Sequence, residues 1–174
     1  MFLKPPPFRP IFGLMALACV GMLAFGLYLQ HVEGLNPCPM CIVQRYALIG
    51  VAVLAGMGWR MQRWAPIAVV GALMTLVSGF GAFVAARQSW LQWYPPEIVT
   101  CGRDLYGMIE NFPLQRVIPL VFKGSGDCVK VDWTFLGGSV ANWSFVSFCG
   151  LGLAALVFAL ARWRSSSPSA EAAA

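Results

Sequence analysis

The chain has 174 residues and a net charge of +5, from 12 Lys and Arg against 7 Asp and Glu. Apolar and aromatic residues make up 59% of it and charged residues only 11%, where soluble domains average about 25% charged. That balance excludes an ordinary soluble domain, and the sparse positive charge gives no sign of a nucleic-acid partner.

The apolar residues fall into four blocks, 11–30, 41–59, 66–86 and 143–161. Each is close to the roughly 20 residues that a helix needs to cross the hydrocarbon core. The expectation is an all-α membrane protein, a four-helix transmembrane bundle with short connections and one long loop. Block 11–30 is too long for a signal-peptide core, lacks a small-x-small cleavage site at its end and is followed by more spans. Leu17-Ala18-Cys19 resembles a lipoprotein signal, but cleavage there would destroy the span.

Lys and Arg in short flanking segments set the expected orientation. Lys4 and Arg9 lie in the 1–10 terminus, Arg60 and Arg63 in the 60–65 turn, and Arg162 and Arg164 in the 162–174 tail. The 31–40 loop has neither Lys nor Arg. Both termini and the 60–65 turn therefore read as cytoplasmic. The 31–40 loop and the long 87–142 segment read as outward-facing, periplasmic in a bacterium. The basic residues inside 87–142 weigh little, because long loops obey the rule poorly.

Cys38 and Cys41 fall at the mouth of the second block, and Cys101 and Cys128 in the long loop. All four face the compartment where disulfides persist. Cys19 and Cys149 lie inside spans, where they are expected to pack as small hydrophobes. A Cys38–Cys41 bridge closes almost no loop, so it is a poor structural staple and is better explained by redox exchange. A Cys101–Cys128 bridge would close a long loop, worth roughly 3–4 kcal/mol, and could be a staple on its own. A zinc site is disfavoured, because the second pair lacks metal-ligand spacing; no metal is expected.

The residues around the first pair favour a reactive sulfur. Asn36-Pro37 ends the loop in extended backbone, and Pro39 suits the first helical position. Cys38 is then the helix cap and Cys41 sits in the first turn, where free N–H groups and the positive dipole end stabilise an anion. Arg45 is four residues on and shares a helix face with Cys41. A cation at about 4–6 Å favours the thiolate by roughly 1.4–4 kcal/mol. The plainer role for Arg45 is snorkelling to headgroups.

The motif Asn36-Pro37-Cys38-Pro39-Met40-Cys41, Arg45 after it, four spans and a second outer cysteine pair together resemble the disulfide bond formation protein B (DsbB) family. Matching pieces include Trp90-Leu91-Gln92, Tyr94-Pro95, Thr100-Cys101, Gly124-Ser125-Gly126-Asp127-Cys128 and Asp132-Trp133-Thr134-Phe135-Leu136-Gly137. The resemblance implies a thiol:quinone oxidoreductase of the bacterial inner membrane. Its partner would be a DsbA-type thioredoxin-fold protein of the periplasm, and its cofactor ubiquinone or menaquinone drawn from the membrane lipid. The reduced partner would attack a Cys101–Cys128 disulfide through Cys101. Cys128 would then attack Cys38, leaving Cys41 as a thiolate beside the quinone, with Arg45 as the quinone contact.

One residue departs from the family pattern. Gln88 stands where some members carry a histidine near the quinone, and it can donate a hydrogen bond but cannot become a cation. His31, the only histidine, is expected in the headgroup region. Segment 112–122 reads as an interfacial stretch on the outer leaflet, and Trp90, Trp93, Tyr94, Trp133 and Trp143 as an aromatic belt on the same side. Two other classes compete. In an enzyme of the vitamin K epoxide reductase type, the loop cysteines precede the Cys-x-x-Cys. A non-catalytic membrane protein would hold disulfides too stable to exchange.

Overall fold

A computed structural model of the chain describes residues 8–61, 65–95 and 126–166. Four long helices dominate it: α1 (Phe8–His31), α2 (Pro39–Arg60), α3 (Ala65–Trp93) and α5 (Val140–Ser166). A one-turn helix, α4 (Gly126–Val129), and a two-stranded hairpin, β1 (Thr134–Phe135) and β2 (Gly138–Ser139), precede α5. All four long helices are long and apolar enough to cross a membrane, so the chain is a multi-pass membrane protein. Cys101 and the 112–122 segment lie outside the described residues.

Each helix begins and ends for a local reason. α1 stops where Gly34 takes φ 71°, which glycine adopts at no steric cost, and the Leu35 N–H returns to the Leu29 carbonyl at 3.1 Å. α2 starts at Cys38 in extended backbone, with Pro39 at its first position. α5 is capped by Ser139, whose hydroxyl accepts from the Asn142 N–H at 3.4 Å and donates to Gln92 Oε1 at 2.6 Å. α3 runs past residue 86, the expected end of the third span, to Trp93. Gln88 therefore sits on a helix and not in a loop.

The hairpin turns through Leu136 and Gly137, both at positive φ, 49° and 80°. Positive φ at both central residues is the turn whose twist matches the paired strands. Leucine in that conformation costs roughly 1–2 kcal/mol.

The helices pack in chain order: α1 on α2, α2 on α3, α3 on α5. At the end away from Cys38 and Cys41 all four meet. Phe12, Met15 and Cys19 of α1 join Val51 and Ala55 of α2, Ile67, Val70 and Met74 of α3, and Leu151, Ala155 and Phe158 of α5. Phe12 and Phe158 meet edge to face, with centroids 5.2 Å apart, and so draw α1 onto α5. Lipid is as apolar as these side chains, so close packing and not water exclusion holds them. Small residues permit that packing at selected positions. Gly71 lies against Ala155 and Ala159, Ser78 against Gly152, and Gly81 under the Phe148 ring, whereas Gly56 and Gly79 face open space. Cys19 is fully buried in this core. Cys149, expected to pack likewise, is exposed on the outer surface of α5, because its position on the helix turns it away from α3.

Gly81→Ala should destabilise the bundle by about 1–3 kcal/mol, because the added methyl would lie 2.5 Å from the Phe148 ring. Gly79→Ala has nothing within 4 Å and should be neutral or mildly stabilising, as alanine favours helix. Unfolding midpoints of the two variants in detergent check the contrast.

Candidate functional site

The site begins with the first turn of α2. A helix N-terminus leaves backbone N–H groups without partners, and Cys38 Sγ accepts the Cys41 N–H at 3.4 Å. Capping bends the cysteine side chain back over the turn and brings it to its neighbour. The Cys38 thiol donates to Cys41 Sγ at 3.0 Å, longer than the roughly 2.05 Å of a disulfide. The described cysteines are free thiols.

Cys128 arrives on α4, which packs on α3 and α2. It is fully buried, in a cluster with Cys38, Met40, Ile42, Val84 and Leu91. Its sulfur is hydrogen-bonded to that of Cys38. Cys38 thus stands between Cys41 and Cys128, and three of the four cysteines of the two pairs are in one place. These contacts push the Cys38 thiol well above the ordinary cysteine range, the bond with Cys128 most, then the bond with Cys41, then burial.

Two amides complete the sulfur environment. Gln88 Nε2 donates to Cys38 Sγ at 3.4 Å and to Cys41 Sγ at 3.3 Å. Gln88 Oε1 accepts from Gln44 Nε2 at 2.7 Å. Both glutamines are buried. Gln44 is not singled out by the motif reading, although a polar residue inside an apolar span is itself a pointer to function.

Arg45 shares the α2 face of Cys41, as expected, but its guanidinium bonds α1. It donates to Gln30 Oε1 and, at 2.9 Å, to the Gly26 carbonyl. Its remaining N–H bonds are available to a cavity of about 740 Å³, which Arg45, Cys38, Cys41, Gln44 and Gln88 all line. The walls run from Ala18 to Leu29 on α1 and from Val140 to Phe148 on α5. The helices that meet at Phe12 and Phe158 are therefore parted here. A chain of rings crosses the gap: Phe25 to Trp133 at 5.6 Å, Trp133 stacked on Phe135 at 6.1 Å, and Phe135 to Trp143 at 6.1 Å. Trp143 Nε1 donates to the Phe135 carbonyl at 2.9 Å. Trp90, Trp93 and Tyr94 are exposed at the same end, where a belt is expected, and His31 is exposed at the end of α1.

Residues 8–158 match the family model described as disulfide bond formation protein DsbB. The chain belongs to the DsbB family. It is 65% identical over 159 residues to the disulfide bond formation protein B of Paracidovorax citrulli (strain AAC00-1), covering 87% of each chain. The homologue from Acidovorax sp. (strain JS42) is 69% identical over 147 residues, 80% of each chain. The one from Azoarcus sp. (strain BH72) is 50% identical over 158 residues, 90% of this chain and 95% of that one. DsbB membership makes this a redox protein of disulfide formation, a disulfide-forming oxidoreductase.

The raised Cys38 thiol has a measurable consequence. At pH 9.0, where an ordinary cysteine is half ionised, Cys38 in the reduced protein should remain a thiol. Thiolates and not thiols are alkylated, so iodoacetamide should modify Cys38 about tenfold or more slowly than it does in denatured protein. Fragment-ion mass spectrometry resolves the modification site.

Proposed function

We propose that the protein is a protein-dithiol:quinone oxidoreductase of the bacterial inner membrane, which reoxidises a DsbA-type periplasmic protein. The observation that carries this is the contact of Cys38 with both Cys41 and Cys128 at the edge of an apolar cavity. A relay needs one sulfur within reach of two others. A structural staple does not.

In this reading the reduced partner attacks a Cys101–Cys128 disulfide at Cys101. The Cys101–partner bond forms as Cys128 leaves. The freed Cys128 sulfur attacks Cys38, forming Cys38–Cys128 and expelling Cys41 as an anion. The partner's second thiol then displaces Cys101 and leaves with its own disulfide. Cys101 then attacks Cys128, breaking the Cys38–Cys128 bond and releasing Cys38, and Cys38–Cys41 is restored once two electrons and two protons leave the Cys38 and Cys41 thiols. Alternation of the bonds leaves the protein unchanged overall.

Ubiquinone or menaquinone would take up those two electrons with two protons. The residues present fit such a group. A cavity of about 740 Å³ lies within the roughly 300–1,000 Å³ of small-molecule sites, which are apolar with a few placed polar groups. Gly26 and Gln30 aim the Arg45 guanidinium beside it. The remaining donors of that guanidinium would hold a carbonyl oxygen. The apolar walls of α1 and α5 suit a long hydrocarbon tail.

Mixing the purified protein with a reduced DsbA-type protein and a water-soluble quinone should bleach quinone absorbance. No bleaching, with both reagents shown to be active, would overturn the assignment. Cys128→Ser should accumulate a mixed disulfide between the partner and Cys101, because the resolving thiol is gone; partner captured on Cys38 instead reverses the order. Arg45→Ala should cost roughly 3–4 kcal/mol in quinone reduction, and Arg45→Lys less, with thiol exchange at Cys101 nearly unchanged. Unaltered quinone kinetics in Arg45→Ala rules out that role. Orientation follows the Lys and Arg distribution, both termini cytoplasmic. Impermeant thiol reagents should therefore reach Cys101 from the periplasmic side after reduction.

A further inference from the structure

The two buried amides are not explained by the cysteine relay. Gln88 touches both sulfurs of the Cys-x-x-Cys pair, whereas Gln44 touches Gln88. An amide side chain has a donor end and an acceptor end of nearly the same shape, so sterics alone do not decide which end meets the sulfurs. The end matters. The N–H end stabilises a sulfur anion, and the carbonyl end repels it.

We infer that Gln44 is a positioning residue that locks the Gln88 amide with its NH2 toward Cys38 and Cys41, so that Gln88 serves the pair as a fixed, uncharged anion clamp. Gln44 Nε2 donates to Gln88 Oε1 at 2.7 Å, the shorter of the two bonds to that oxygen, the Cys41 thiol reaching it at 3.7 Å. The two N–H groups of Gln88 are then left for sulfurs at 3.3 and 3.4 Å. Reversing Gln88 with Gln44 kept as it stands would set its NH2 against the NH2 of Gln44, two donors facing each other in a buried site. That arrangement forfeits the 2.7 Å bond between the two amides. Charged groups also line the cavity, Arg45, Lys130 and Asp132. The guanidinium is tied to α1, which leaves Gln88 as the donor bonded directly to both sulfurs.

This inference deepens the proposed relay, since the clamp has a purpose only if a sulfur anion forms at Cys41. Its test uses neither quinone nor partner, so it can fail while that reading stands. The experiment is a double-mutant cycle on the reduced full-length protein with Gln44→Met, Gln88→Met and the pair, methionine keeping the length and burial of glutamine. The readout is Cys41 alkylation by iodoacetamide across pH, assigned by fragment-ion mass spectrometry, with unfolding midpoints as a check on folding.

Gln88→Met should slow Cys41 alkylation at neutral pH roughly tenfold, the scale of one hydrogen bond to a charged group, and move the profile to higher pH. Gln44→Met should slow it several-fold in the native background and not at all in the Gln88→Met background. Residues that act through one another are not additive. Equal slowing by Gln44→Met in both backgrounds, or none in either, overturns the lock. A variant that unfolds early is replaced by the corresponding Leu substitution and held to the same comparison.

Discussion

Everything at the reactive end depends on the need to satisfy the first N–H groups of a helix that starts at a membrane surface. Inside lipid an unpaired N–H costs several kcal/mol, so α2 needs a cap. A serine or aspartate would serve; this chain uses a sulfur. Once Cys38 turns back over the helix, its sulfur is committed to the neighbourhood of Cys41. The cap also fixes the depth of the pair, because Pro39 holds the helix start and the loop before it carries no basic residue to draw it elsewhere. Cys128 and Gln88 are brought to a position that the cap has already set.

The bundle is asymmetric from end to end, and side-chain size accounts for it. Around Phe12 and Phe158, alanines and glycines on α2, α3 and α5 let backbones close until the rings touch. Toward the cysteines, α1 and α5 face each other across Gly26, Phe25, Trp143 and Phe148. Bulk there is aromatic and set at the rim, so the helices stay apart and the space between is lined and not filled. The hairpin before α5 adds to this. Its tight turn brings Phe135 beside Trp133 and Trp143, at the cost of a leucine in the left-handed region.

Much of this was legible in the sequence because membrane spans obey simple rules of length and polarity. The four apolar blocks became the four long helices, and Cys38-Pro39 became the cap and first residue of α2. The end of α3 was not legible. Polar Arg87 and Gln88 read as a loop, yet a helix continues through polar residues when a partner takes their hydrogen bonds, and Gln88 has four. The bonds of Arg45 to α1 were hidden for a related reason. Spacing along one helix reveals which residues share a face, but not what a neighbouring helix brings to it. Cys149 shows the converse, since a small apolar residue carries no mark of whether it faces protein or lipid.

The ring chain from Phe25 through Trp133 and Phe135 to Trp143 links α1, the hairpin and α5 across the cavity they line. A dithiol at a membrane surface is exposed to every small oxidant in the adjoining water. Here the cavity that Cys41 lines is also lined by these rings, whose contacts are worth about 0.5–1.5 kcal/mol each beyond their buried area. A polar solute gains nothing to offset parting them. A flat apolar molecule exchanges ring contact for ring contact. A rim of this kind favours flat apolar solutes over polar ones of the same size.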